Sequence, residues 1–263
     1  GLHFDNYHAL WQWSATHIDD FWESQWQYFE IISHAPYRQV LKGAEMPDFQ
    51  WFEGATLNYA AHIFRQKKEA RPAILFQSER RPLSQMSWAE LERQTAAIAR
   101  YLKQCGIQPG DRIAAYLPNS PHAIVAVLAA MSVGAVWSSC SPDFGAASVA
   151  DRFVQIQPKI LIAVDGYAYG GKSFDKRDTV RELCQLLPTV NQVIFIPYLD
   201  ENAVLDNSGK DVALWNDLIS AGTADAALPI LPVPFSHPLW VLYSSGTTGV
   251  PKAITHSHGG NLL

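Results

Sequence analysis

Leu242-Tyr243-Ser244-Ser245-Gly246-Thr247-Thr248-Gly249-Val250-Pro251-Lys252 lies close to the end of the 263-residue chain and is its most specific segment. Four hydroxyl residues, two glycines and a lysine take seven of the nine positions 244–252, directly after the apolar run Pro238-Leu239-Trp240-Val241-Leu242-Tyr243. Glycine lets backbone approach an anion, successive N–H groups form a cradle, hydroxyls add donors and the lysine supplies charge. Three or four charge-assisted hydrogen bonds, roughly 1.5–3 kcal/mol each, hold a triphosphate tail. The alternative is a Ser/Thr/Gly surface turn, and against it stands the agreement of position and composition over the whole segment. The pattern is not of the Walker type, in which the lysine and the next hydroxyl residue open a helix. Here Pro251 precedes Lys252, and the β-branched Ile254 and Thr255 follow, which favours a strand. The bend is expected to join two strands and to be mobile until ligand arrives.

Upstream of this bend, from Trp51 onward, short apolar runs alternate with helical patterns. Residues 72–76 and 83–86 read as short strands with a hairpin around Glu79-Arg80-Arg81, and Ser87 with Glu90 as a capping box. The helix behind it carries Leu91, Ala97, Ile98, Tyr101 and Leu102 and stops at Gly106. Strands are expected at 113–117, 134–137, 159–164 and 192–196. Helices are expected from Pro121 to Met131, from Ala147 to Gln157 and from Val180 to Leu187. Thr56 is a candidate cap for a helix carrying Leu57, Ala60, Ala61 and Phe64, and 200–237 reads as a long connection with one helix near 214–219. Strands that are apolar without alternation predict an α/β fold: a largely parallel sheet flanked by helices on both faces.

Residues 1–55 form a leader dense in aromatics. Ile18, Phe21, Trp22, Trp26 and Phe29 fall near helical spacing, with Asp19 and Asp20 in the first turn, so a helix packing its stripe on a larger body is expected. An exposed aromatic patch for a partner is the alternative. Residues 34–47, with two prolines and a glycine, read as an irregular connection.

Composition bounds the rest. A hydrophobic share of 48% and a charged share of 17% are those of a globular protein, and a net charge of −5 argues against nucleic acid as a partner. Cys105, Cys140 and Cys184 are odd in number and widely spaced, which suits reduced thiols in a cytoplasmic protein. No apolar run reaches the ~20 residues a membrane helix needs. The chain starts without Met and stops at 258–263 in what reads as the beginning of a helix, so it is expected to be a fragment.

Gly166-Tyr167-Ala168-Tyr169-Gly170-Gly171-Lys172-Ser173 satisfies the literal G-x-x-x-x-G-K-[ST] pattern after a strand. Thr179 and Glu182, however, form a capping box for a helix that begins beyond Lys172, with Asp175 as an earlier cap, so the loop could not aim a helix N-terminus at a phosphate. A glycine-rich turn with an exposed lysine is the competing reading. His256 and His258 form H-x-H without a further ligand at metal spacing, which favours structural roles over a metal or ligand-facing one. Ser245 as a nucleophile lacks the G-x-S-x-G elbow.

Taken together, Tyr243 to Lys252 followed by His256-Ser257-His258-Gly259-Gly260 resembles the phosphate loop of the adenylate-forming enzymes, the acyl-CoA synthetase superfamily. The resemblance runs the length of the chain. Trp51 to Tyr59 and the aromatic leader are similar to the acetate- and acetoacetate-activating members. The segments 140–149, 151–153 and 165–172 look most like the acetoacetate-activating ones. It implies the first part of a large N-terminal domain at 56–263, preceded by a helical extension at 1–55.

The implied chemistry is that of an ATP-dependent acid–thiol ligase. A carboxylate such as acetoacetate attacks the α-phosphorus of ATP held with Mg2+, and the thiol of coenzyme A then displaces AMP. ATP would be held by Ser244, Ser245, Gly246, Thr247, Thr248, Gly249 and Lys252, the last as counter-charge to the leaving pyrophosphate. Coenzyme A would lie along Phe144, Gly145, Ala146 and Lys172, although Tyr167, Ala168 and Tyr169 stand where the acetate-activating members carry arginine. The adenine-, ribose- and Mg-binding motifs and the C-terminal lysine would lie beyond residue 263, leaving the fragment inactive alone. The competing class is a non-catalytic nucleotide-binding module, and no oligomeric state follows from the sequence.

Overall fold

A strand with no polar face must be covered on both sides, and that requirement organises the chain. The computed structural model describes residues 2–222, 227–244 and 249–263. The leader folds into α1 (Tyr7–Thr16), α2 (Ile18–Tyr28) and the antiparallel pair β1 (Gln39–Lys42) and β2 (Gln50–Glu53). Then come β3 (Thr56–Leu57), α3 (Tyr59–Phe64), the hairpin β4 (Ile74–Phe76) and β5 (Ser84–Met86), and α4 (Trp88–Gln104). The α/β succession follows: β6 (Arg112–Tyr116), α5 (Pro121–Ser132), β7 (Val136–Cys140), α6 (Ala146–Phe153) and β8 (Ile160–Val164). A second hairpin, β9 (Gly166–Tyr169) and β10 (Lys172–Asp175), precedes α7 (Arg177–Leu186), β11 (Gln192–Ile196), β12 (Asp211–Leu214) and α8 (Trp215–Ser220). The described chain closes with β13 (Val233–Pro234), β14 (Pro238–Ser244) and β15 (Lys252–Ser257).

Seven of these strands form one sheet in the order β12-β11-β8-β6-β7-β14-β15, parallel throughout except for the antiparallel last pair. Alternate residues of β6, β8 and β11 enter two different cores. Ile113, Ala115, Ile160, Ile162 and Ile194 pack with α3, α4, α5 and α8 on one face. Ala114, Tyr116, Leu161, Ala163, Val193 and Phe195 pack with α6 and α7 on the other. Each large side chain so buried contributes roughly 1.5–3 kcal/mol. The parallel sheet covered on both faces is as the sequence predicts.

Several local expectations give way to tertiary contacts. Thr56 does not cap α3; its backbone is used in pairing with Pro234 and Ala35. Asn58 caps instead, with Oδ1 accepting from Ala60 N at 2.9 Å while Nδ2 donates to the carbonyls of Met131 (3.0 Å) and Leu231 (2.8 Å). The segment read as irregular at 34–47 contains β1, and the long connection at 200–237 contains β12 and β13, because each finds a partner strand the local pattern does not show. Helix α7 starts at Arg177, with the Asp175 carboxylate accepting from Arg177 N at 2.9 Å, so Thr179 lies inside the first turn rather than at the cap.

The leader is joined to the body by a third core. Trp26, 8% exposed, stacks on Phe52 at 4.5 Å between ring centroids, and Phe52 lies 5.0 Å from Phe235. Of the expected stripe only Trp26 is fully covered, while Ile18 and Phe29 remain exposed.

Two buried imidazoles act as acceptors at this junction. His62 Nε2 accepts from Ile32 N at 2.7 Å, and His258 Nδ1 accepts from Tyr59 N at 3.1 Å. Burial, with Arg65 nearby, pushes His62 down to about 4; burial, with His237 beside it, pushes His258 down to about 3. Unfolded histidine titrates near 6.5. The unfolded chain therefore binds protons first as pH falls, so this stabilisation is complete above about pH 6.5 and drains away as pH drops toward 4 for His62 and toward 3 for His258. Urea titrations across that window should show stability falling with acid. A His62→Gln variant should have a visibly shallower slope, and a slope equal to wild type would contradict the assignment.

Candidate functional site

With both sheet faces covered, polar groups converge where the parallel strands end. At that edge β14 turns back into β15, with Ser244 opposite Lys252 and Tyr243 opposite Ala253. The expected strand-to-strand bend is thus present, and its two ends carry exposed Ser244 and Lys252. Gly249 has φ +97°, and nothing lies within 4 Å of where a Cβ would be, so backbone there is open to a ligand. Ser245, Gly246, Thr247 and Thr248 lie outside the described residues. The flanks are tied down: Ser138 Oγ donates to Val241 O (2.8 Å), Tyr243 Oη to Arg152 O (2.7 Å) and Gln155 Nε2 to Pro251 O (3.0 Å). Burial lifts the Tyr243 phenol to about 12, which keeps it a donor.

The turn after β7 holds Phe144, Gly145 and Ala146. Tyr116, fully buried at the end of β6, shares its one hydroxyl proton between Pro142 O (2.8 Å) and Phe144 O (2.7 Å). Burial raises the Tyr116 pKa far above the ordinary phenol range, so this proton stays in place. Phe144 is 42% exposed, and the Arg152 guanidinium lies 4.9 Å from its ring centroid. Gly145 precedes α6 without a side-chain cap, while the Ala146 side chain is buried.

Lys172 does not open a helix. It begins β10, paired with Tyr169 across a turn in which Gly170 (φ +58°) and Gly171 (φ +75°) both take the left-handed conformation of a tight hairpin. This removes the Walker reading, because no helix N-terminus follows the lysine. The N–H groups of Gly170 and Gly171 instead both donate to the Glu79 carboxylate, each at 2.9 Å, and those bonds hold Glu79 below the usual carboxylate range. Lys172 itself is exposed. At the root of the hairpin, Asp165, 2% exposed, accepts from the backbone N–H groups of Tyr198 (2.7 Å), Leu199 (2.8 Å) and Asp200 (2.7 Å).

These loops enclose a cleft of about 590 Å³, lined by Ser78, Arg80, Arg81, Pro118, Asn119, Ser141, Pro142, Asp143, Tyr167, Ala168, Tyr169, Tyr198, Leu199 and Glu201. Tyr167 stacks on Phe174 at 5.0 Å, and burial together with a hydrogen bond to Asp143 raises its phenol to about 12. Of the loops at 143–146 and 166–172, Asp143, Tyr167, Ala168 and Tyr169 line this cleft, with Ser141 and Pro142 just before the first loop. Phe144, Gly145, Ala146 and Lys172 are not in the wall, and neither are the described residues of the 243–252 bend. Sequence reasoning missed Arg80 and Arg81. The only signal was a charged turn between two short strands, and nothing local says which way such a turn faces.

His256 and His258 do not form a metal pair. His258 is fully buried as the acceptor for Tyr59 N, and His256 is exposed on β15. Among the described residues no group of three or more His, Cys, Asp or Glu could hold a metal ion.

Comparison with known proteins gives the family and the fold. A family model described as AMP-binding enzyme matches residues 62–263, and one described as Acetyl-coenzyme A synthetase N-terminus matches residues 7–63. The chain is 39% identical to the acetoacetyl-CoA synthetase of Macaca fascicularis, a match covering all of this chain and 40% of that protein. It is 40% identical to the acetoacetyl-coenzyme A synthetase of Rhizobium meliloti over the same shares. The solved acetoacetyl-CoA synthetase of Streptomyces lividans superposes with a TM-score of 0.90 at 49% identity, covering 98% of this chain and 39% of that one. The chain thus spans about 40% of the length of the curated relatives it matches.

Asp165 is the group on which the cleft wall hangs. In Asp165→Asn one acceptor oxygen becomes an amide that points protons at a backbone N–H. A hydrogen bond to a charged group contributes about 1.5–3 kcal/mol, so thermal or urea unfolding should register a loss of that order. An unchanged midpoint would show that the three bonds carry no net stability.

Proposed function

The chain belongs to the AMP-binding enzyme family, and on that premise we propose that it is the nucleotide-binding part of an ATP-dependent acid–thiol ligase that converts acetoacetate and coenzyme A to acetoacetyl-CoA, with release of AMP and pyrophosphate through an acyl-adenylate. The observation that carries the reading is the antiparallel bend between β14 and β15, which sets a hydroxyl and an ammonium group opposite each other at the edge where the parallel strands end. The donors suit a polyphosphate: Ser244 and Lys252 are exposed, and Gly249 leaves its backbone open.

In this reading Ser244, Ser245, Thr247 and Thr248 donate hydroxyls, Gly246 and Gly249 admit the phosphates, and Lys252 stabilises the charge that develops on pyrophosphate as it leaves. Adenylation supplies the leaving group that a carboxylate lacks. Magnesium would arrive with the nucleotide. Coenzyme A is assigned to the neighbouring loops, with Phe144 presenting its ring, Gly145 and Ala146 the uncapped amides of α6, and Lys172 a cation on the hairpin. Residues 1–55 serve as an extension and 56–263 as the AMP-binding domain, in a cytoplasmic protein. Among the described residues no helix is long and apolar enough to cross a membrane, and Cys105, Cys140 and Cys184 are free.

The test is carboxylate-dependent pyrophosphate release by the full-length protein with acetoacetate, acetate and propionate. Acetoacetate should be preferred, and Lys252→Ala should reduce the rate roughly 10- to 100-fold, the worth of one charge-assisted contact. Release that ignores the carboxylate, or survives Lys252→Ala undiminished, would refute the assignment.

A further inference from the structure

The cleft at the ends of β6, β7, β8 and β11 lies apart from the bend assigned to ATP. Strand β8 stands three places from β14 in the sheet, a separation of about 14 Å at the spacing of paired strands. A ligand in the cleft is therefore not the tail gripped by the bend. Its volume of about 590 Å³ suits a nucleotide-sized group. Tyr169, 71% exposed, offers an aromatic face of the kind on which bases stack.

The charges on its wall are unequally committed. Arg81 is occupied, donating to Tyr198 O at 2.7 Å with its guanidinium 4.5 Å from the Tyr198 ring centroid. Asp143 is held by Ser141 Oγ at 2.9 Å and by the Tyr167 hydroxyl, and Glu201 is exposed at the rim. Arg80 is exposed and makes no hydrogen bond or ion pair among the described residues, its charge being felt only at the adjacent Glu79, and its backbone is fixed on both sides. Glu79 grips the two glycine amides of the β9–β10 turn, and Ser78 and Arg81 close the β4–β5 turn through paired backbone bonds of 3.1 and 3.3 Å. An uncommitted guanidinium on a locked turn is preorganised for a phosphate, whose oxygens it meets with two parallel donors. Tyr167, Ala168 and Tyr169 provide no cation, and Lys172 stands outside the wall.

Resting on the ligase reading above, we propose that Arg80 is the cation that binds the 3′-phosphate of coenzyme A, with the nucleotide lying in this cleft against Tyr169. Glu79 is a positioning residue that holds the β4–β5 turn to the hairpin. The charge that the second loop lacks is thus supplied by a turn some 90 residues earlier in the chain.

Calorimetric titration of the full-length protein with coenzyme A and with 3′-dephospho-coenzyme A tests this directly. Wild type should bind the phosphorylated form roughly tenfold or more tightly. Arg80→Gln should bring the two affinities together and Arg80→Lys should recover part of the difference, whereas Lys172→Gln, which removes a cation outside the cleft wall, should weaken both forms alike and keep their ratio. Thermal melting should be unchanged in all three variants, since both side chains are exposed. Discrimination that survives Arg80→Gln, that disappears in Lys172→Gln, or that wild type never shows would overturn the proposal. Exchange of pyrophosphate into ATP with acetoacetate, measured on the full-length protein, separates the two levels. Exchange intact while discrimination fails removes Arg80 alone, whereas absent exchange removes the ligase reading and this assignment with it.

Discussion

Strand β6 is buried on both faces from Ile113 to Tyr116, and most of the architecture follows from that constraint. It lies between β7 and β8, with Ile113 and Ala115 in one core and Ala114 and Tyr116 in the other. Its backbone groups are satisfied by the two neighbouring strands, so helices must close both faces. Alanines at 114 and 115 let the covering helices come close, and α5 answers with Ala126, Ala129 and Ala130. Once the faces are sealed, a ligand can reach this sheet only at its ends.

The two ends of the sheet are finished differently. At the amino end Asp111 is neutralised by Lys159 at 2.7 Å and caps the turn through Gln108 N at 2.8 Å, a self-contained polar cluster. At the carboxyl end polar groups point at backbone instead, Tyr116 and Asp165 buried and Glu79 exposed. Tyr116 fixes two carbonyls, Asp165 three amides, and Glu79 two glycine amides. Such groups set loop shape without using the loops' own side chains, which leaves Arg80, Phe144, Tyr169 and Lys252 at the surface. A rigid backbone carrying uncommitted side chains is a preorganised binding edge.

The leader adds a covering layer and no strand to the main sheet. Trp26, Phe52 and Phe235 form an aromatic stack that ties residues far apart in sequence, and Arg65 donates to the carbonyls of Phe29 and Glu30 just past the end of α2, where positive charge is favoured. The acceptor histidines His62 and His258 complete the junction, each neutral because it is buried.

What the residues settled alone was local and periodic. The β6, β8 and β11 runs, the Ser87 cap of α4 at 3.1 Å from Glu90 N, the β4–β5 hairpin and the strand-to-strand bend at 244–252 were all legible, because each depends on neighbours within a few positions. The family, too, was legible in the 243–260 segment. Folding alone decided that Asn58 and not Thr56 caps α3, since its partners Met131 and Leu231 lie more than seventy residues away. It also decided that Lys172 lies in a hairpin, where the two glycines take positive φ against a carboxylate ninety-one residues removed. Strands β1, β12 and β13 exist only because a partner edge stands beside them. The direction in which Arg80 faces belongs to the same class. A turn's conformation is written in its own residues, but the surface it confronts is set by contacts between distant segments, which short-range preferences do not encode.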